Sequence, residues 1–247
     1  MSVHAVHAPA AWRPPLPSGL HALSFDNGGV ILHTTRGSRH VGADTRVFHG
    51  ELPPLRATPQ RGSVDRLRGV LPAVRRALRR WGSPEGLLGA IAETTETSPF
   101  SPPAIAILAV GSDTALADLV GLGVGLTPAG DDFLAGVLAL RQLLSEGGGS
   151  ELRAALAPCL HRTTPAGRTL LWAALRGQFP AFLCRLLDQL TRPAGTTEPV
   201  AAAVRAAVRH GHSSGTDAVT GVVWELQRRA AVAAAGAQAT ATGAAAA

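Results

Sequence analysis

The stretch VGLGVGLTPAGDDFLAG, residues 120–136, constrains this chain more than any other. Gly121, Gly123 and Gly125 alternate, so no regular helix or strand is expected to run through them. Thr127-Pro128 then marks a helix start. Threonine caps free amide groups, and proline at the first helical position gives up an N–H that would have no partner there. A long helix is expected from about Pro128 to Leu144. Gly130, Asp131 and Asp132 fall in its first turn. One acidic side chain there complements the helix dipole. Two adjacent ones point ~100° apart and cannot serve the same contact. One is expected to cap or bind backbone while the other faces a cleft, and Asp132 is the one expected to face a ligand. Alternating glycines bring backbone N–H groups close to an anion, commonly at a helix N-terminus. Gly123, Gly125, Thr127 and Gly130 are the candidate donors, with Asp131 beside them. No Lys-Ser/Thr pair follows the glycines, so this is not a Walker A loop, and the spacing lacks the third glycine of a dinucleotide fingerprint.

A second segment, RHGHSSGTDAVTGVVWEL (209–226), repeats the design. Gly211 is placed to end one helix, and Ser213 or Ser214 to start the next. Ser214-x-x-Asp217 has capping-box spacing. Gly130-x-Asp132-x-x-x-Gly136 aligns with Gly215-x-Asp217-x-x-x-Gly221. The later glycine of each would let another helix approach closely. Two capped helices explain the pattern minimally. The sharper expectation is that both N-termini face one cleft and jointly hold an anionic or carbonyl-rich ligand, with His210 and His212 at its edge. These histidines and Asp217 could in principle bind a metal. Anion contact or general acid chemistry suits them better, because histidine titrates near neutrality. No metal site and no cofactor motif is therefore assigned. A third helix start, Thr163-Thr164-Pro165, adds Thr164 as an N-cap. Arg162 or Arg168 beside it could meet a phosphate or carboxylate.

The chain has 247 residues, 46% hydrophobic and 16% charged, a globular composition with room for a real core. Its formal charge of +6 rests on arginine, with no lysine. The arginines concentrate in VDRLRGVLPAVRRALRRW, alternating with apolar residues as on the wet face of an amphipathic helix. With few aromatics among them, nucleic acid is not expected as a partner. An anionic small molecule is. Cys159 and Cys184 lack any metal or disulfide spacing. The N-terminus has no signal-peptide core and no apolar run approaches the ~20 residues needed to span a bilayer, so a cytoplasmic protein without membrane partners is expected.

The expected fold is α+β: a small N-terminal antiparallel β-sheet followed by a larger, mainly α-helical domain. Residues 1–19 read as ragged. Residues 20–62 read as a small β region, because Asn27-Gly28 sits between two β-prone runs as a hairpin turn would. Residues 63–234 read as the helical domain carrying the glycine loops. Helices are expected at 64–81, 84–96, 128–144, 150–161, 166–190, 198–209 and 214–234. Residues 104–120 are apolar but undecided between two short helices and a strand with a helix. Residues 235–247 read as a low-complexity tail.

GLGVGLTPAGDDFLAG and HGHSSGTDAVTG together resemble the two signature blocks of the bacterial AllH-type family of oxamate carbamoyltransferase subunits. TTPAGRTLLWAALRG and LSFDNGGVILHT are weaker matches. The resemblance implies a subunit that works with other carbamoyltransferase subunits in allantoin and purine breakdown. Together they interconvert oxalurate plus phosphate with oxamate plus carbamoyl phosphate. Ala129 stands where the family commonly has a serine, and Gly167 replaces a small hydroxyl residue.

The leading expectation is a transferase, or a subunit of one, acting on a small carbamoyl or carboxylate substrate. Asp132 and Asp217 would orient or deprotonate an amide nitrogen, and His212 would shuttle a proton. Gly123, Gly125, Thr127, Gly130, Asp131, Thr164, His210, Ser213, Ser214 and Gly215 would bind the anion. Two alternatives stand beside it: a ribokinase-like small-molecule kinase site, and a non-catalytic ligand-binding or regulatory protein.

Overall fold

The structure is a computed structural model describing residues 20–26, 29–35, 37–42, 62–91, 98–144, 149–192 and 198–245. The expectations for residues 1–19 and for the β-like run after residue 42 lie outside these residues. The chain divides into two compact units, Met1–Gly50 and Glu51–Ala247.

The second unit is built from helices. They are α1 (Gly62–Trp81), α2 (Ser101–Val110), α3 (Asp113–Leu116), α4 (Ala129–Leu144), α5 (Ser150–Leu156), α6 (Pro165–Leu175), α7 (Ala181–Thr191), α8 (Glu198–Val208) and α9 (Ser214–Ala245). At its centre α4 packs along α9. Every residue of α4 except Gln142 is buried. The sequence explains this: AGDDFLAGVLALRQLL is apolar on nearly all sides, and a helix without a wet face must be surrounded. α1 is the opposite case. Leu67, Val70, Val74, Ala77 and Leu78 recur every three or four residues and are buried, while Arg76, Arg79 and Arg80 are exposed. α6 and α7 flank α4, and α1 and α8 flank α9.

The α+β expectation is corrected. Among the described residues of Glu51–Ala247 there is no strand, and the buried core comes from the helices and the turns between them. Strands occur only at Leu20–Asp26, Gly29–Thr34 and Gly37–Gly42 (β1–β3), paired antiparallel in that order within the other unit. The body that carries the glycine loops is therefore all-α.

Other boundaries differ as well. The helix expected over 84–96 is, in its described part, a single 3-10 turn at Leu88–Ala90. The backbone ahead of that turn is engaged by a side chain from α9, as shown below. The helix expected over 166–190 is two helices, broken where Gly177 takes φ 79° and Pro180 caps α7. Residues 104–120 are helical, as α2, α3 and a 3-10 turn at Ala117–Leu119. The expected tail is helix through Ala245, in keeping with its alanine content. Among the described residues no helix is long and apolar enough to cross a membrane.

Candidate functional site

The glycine loop connects the 3-10 turn at Ala117–Leu119 to α4. Gly121, Gly123 and Gly125 take φ values of 78°, 116° and 98°. These left-handed values are strained for any residue with a Cβ, which is why the alternation consists of glycine. The kinked backbone exposes Val124 and Leu126. Among the described residues, the amides of Gly123, Gly125 and Thr127 donate no hydrogen bond within the chain.

The two adjacent aspartates have different surroundings. Asp131 is fully buried and committed: its Oδ1 accepts from the Gly121 N–H at 2.9 Å, and its Oδ2 accepts from the Thr163 hydroxyl. Burial pushes its pKa up, and the Thr163 and Gly121 bonds pull it part of the way back. Asp132 is 5% exposed, and its Oδ2 is buried with no hydrogen-bond partner. Its pKa is raised to about 7, mainly by burial. The Ser214 and Thr127 hydroxyls beside it act to lower it, and the Asp217 and Asp131 charges raise it further. A buried carboxyl with an unused oxygen is costly unless something completes its hydrogen bonding.

The second loop joins the first directly. Thr127 Oγ1 and Ser214 Oγ lie 3.1 Å apart, one hydroxyl from the start of each central helix. The N-termini of α4 and α9 thus converge on one place, with the Asp132 carboxyl behind it. Asp217 is fully buried, and its Oδ1 accepts from the Leu87 N–H at 2.6 Å. Burial raises its pKa to about 6 against the lowering effect of the Leu87 amide and the Ser213 hydroxyl.

The residues that embrace Asp217 escape the sequence reading. Ser83–Leu87 forms a collar rather than the expected helix start. The Ser83 N–H donates to Thr216 Oγ1 at 3.0 Å, and Glu85 pairs with His212. A Cβ at Gly86 would overlap the Asp217 carboxylate. The signal available in advance was a glycine just after a Ser-Pro helix start, which fits a wrapped backbone better than a helix interior.

Several of the residues expected to contact a ligand also have partners within the chain. The Gly130 N–H donates to the Leu122 carbonyl at 2.8 Å and the Gly215 N–H to the His210 carbonyl at 2.9 Å. Both glycines serve close packing rather than anion binding. Asp131 braces the loop from within. The Thr164 hydroxyl accepts from Gly167 N–H at 3.0 Å and donates to the Leu126 carbonyl, tying α6 to the glycine loop. Asp217 binds the collar through Oδ1, and its Oδ2, like that of Asp132, is buried without a hydrogen-bond partner. His210 is exposed and stacks on Phe182 with ring centroids 4.3 Å apart. Arg162 engages Asp118 and the Ala117 carbonyl, and Arg168 the Leu160 carbonyl. Gly123, Gly125, Thr127, Asp132, Ser213 and Ser214 remain around the convergence, and His212 is exposed beyond the collar. Among the described residues no three His, Cys, Asp or Glu side chains are grouped to hold a metal ion.

Residues 119–226 match the AllH family model, described as oxamate carbamoyltransferase subunit AllH. This is the family that the two glycine-loop motifs resemble. The AllH match spans both loops, α4 and the start of α9. It leaves out the Ser83–Leu87 collar and all but the last residue of the Ala117–Leu119 turn. No curated protein and no solved structure matches the chain.

Proposed function

We propose that this chain is a carbamoyltransferase subunit that holds a small carboxylate, carbamoyl or phosphate-bearing substrate where α4 and α9 converge. The observation that carries the reading is the 3.1 Å approach of Thr127 Oγ1 and Ser214 Oγ over the unpartnered Asp132 carboxyl oxygen. Two helix N-termini attract negative charge to one point. The free amides of Gly123, Gly125 and Thr127 and the two hydroxyls bind the anionic oxygens. Asp132 contacts the amide nitrogen.

In the reaction that the family resemblance implies, Asp132 handles the proton. When a phosphate oxygen attacks the carbamoyl carbon of oxalurate, the carbon–nitrogen bond breaks and the departing oxamate nitrogen needs a proton. Asp132, with a pKa of about 7, donates it and recovers it in the reverse direction. Asp217 is a positioning residue that keeps the collar against α9. No covalent intermediate is required, since positioning and electrostatics suffice for direct transfer. The kinase-like alternative is not favoured by the all-α surroundings of the loop.

The test is carbamoyl phosphate production from oxalurate and phosphate, by the chain alone and with its partner subunits. Asp132→Asn is expected to lower the rate by about 100-fold or more. If no carbamoyl phosphate forms in either setting, the assigned reaction is wrong. If Asp132→Asn keeps full activity, the assigned proton donor is wrong.

A further inference from the structure

The arginine-rich face of α1 is not absorbed by the reaction. It borders a groove of about 580 Å³ between α1 and α8, lined by Arg76, Arg79, Arg80, Trp81 and Glu198. The groove exists because Ala73, Ala77 and Ala201 are too small to fill the space between the two helices. Its end holds two guanidinium groups against one indole. The Arg80 guanidinium lies 5.4 Å from the Trp81 ring centroid, and the Arg205 guanidinium, from α8, 5.6 Å from it. Arg76, Arg79 and Arg80 form no ion pair among the described residues, and Glu198 is the only carboxylate in the lining.

These features select a ligand class. The volume is that of a small-molecule site rather than a face for a macromolecule. Arg76 and Arg79 are three residues apart on one helix and so share a face, presenting planar, permanently charged forks suited to phosphate oxygens. A tryptophan stacked with guanidinium groups accepts a further flat ring. A ligand that uses both halves carries phosphates at one end and an aromatic ring at the other. We propose that the groove between α1 and α8 binds a nucleoside phosphate, with its phosphates on Arg76 and Arg79 and its base against the Trp81–arginine stack. The groove abuts the candidate site without sharing a residue with it. α1 ends at Trp81, and the next residues form the collar that holds Thr216 and Asp217. The nucleotide site is therefore separate from that of the carbamoyl substrate.

The experiment is titration of the full chain with ADP, adenosine and inorganic phosphate, followed by calorimetry and tryptophan fluorescence. ADP is expected to bind saturably, to quench fluorescence, and to bind at least tenfold more tightly than adenosine or phosphate. Trp81→Phe should remove the quench. Arg76→Ala/Arg79→Ala, both at exposed positions, should weaken ADP binding at least tenfold with an unchanged circular dichroism spectrum. Asp132→Asn should bind ADP like the parent. The proposal is overturned if ADP does not bind, if phosphate alone binds as well, or if the arginine variant binds ADP undiminished. Loss of ADP binding in Asp132→Asn would overturn it too, by placing the nucleotide at the glycine loops.

Discussion

Asp131 and Asp132 are neighbours in the chain with different chemistry. Helical geometry sends one to the Gly121 amide and the Thr163 hydroxyl and leaves the other with an unpartnered oxygen. The proposed role of Asp132 has a defined pH dependence. In the direction that forms oxamate, the protonated carboxyl is the active form, so the rate should fall as pH rises through about 7. In the reverse direction the ionised form is active, and the rate should rise over the same interval. Initial rates measured both ways between about pH 5.5 and 8.5 check this, and two profiles with the same slope would count against the assignment. Gly86 offers a second measurement. A methyl group there overlaps the Asp217 carboxylate, so Gly86→Ala should destabilise the fold by about 1–3 kcal/mol in a denaturant titration. The split between the aspartates was legible in the sequence because it follows from turn geometry within one helix. Gly86 was not, because the side chain it accommodates is more than a hundred residues away.

At the scale of elements, α4 and α9 meet reciprocally. A Cβ at Gly136 would overlap the Ala218 carbonyl, and a Cβ at Gly221 would overlap the Phe133 carbonyl. Ala218 and Phe133 are corresponding positions of the two aligned motifs, so the crossing has a local two-fold character. Close approach at each glycine was readable from the spacing; that the two helices approach each other came from the fold. Farther along, Arg141 of α4 pairs with Glu225 of α9 at 3.1 Å and with Asp113 at 2.8 Å. Burial alone would raise the Glu225 pKa, but Arg228, Arg141 and Arg229 together hold it below the usual range. Removing the charge strands these guanidinium groups in or beside the core. Glu225→Gln should therefore cost about 3–5 kcal/mol, read as a lower denaturation midpoint. The missed helix over 84–96 has a tertiary cause. The 84–96 segment has a proper Ser-Pro start, but its amides are drawn to Thr216 and Asp217 instead of to one another.

For the whole molecule, these carboxyls set a pH profile of stability. Asp132 and Asp217 keep their protons to about 7 and about 6 in the folded chain. Unfolded aspartates release theirs near about 4. Between about pH 4 and 7 the folded chain binds more protons, so stability should fall as pH rises. Glu225 acts oppositely: its pKa is depressed, so its contribution is present above the ordinary glutamate value and lost on acidification. A stability maximum near about pH 4 is expected in thermal melts at constant ionic strength. Asp132→Asn should flatten the decline on the alkaline side, and an unchanged slope would show that Asp132 titrates normally.

By itself the sequence determined where α4, α6 and α9 begin and which acidic side chains enter their first turns. Caps, turns and dipoles act within about one helical turn, so a local pattern contains all the information they need. Only the tertiary structure decided that the two glycine loops meet through Thr127 and Ser214, that Gly130 and Gly215 use their amides inside the chain, and that an all-α unit carries the site. These outcomes depend on which distant groups share a buried space. Desolvation and packing arise there from the whole folded chain rather than from neighbouring residues.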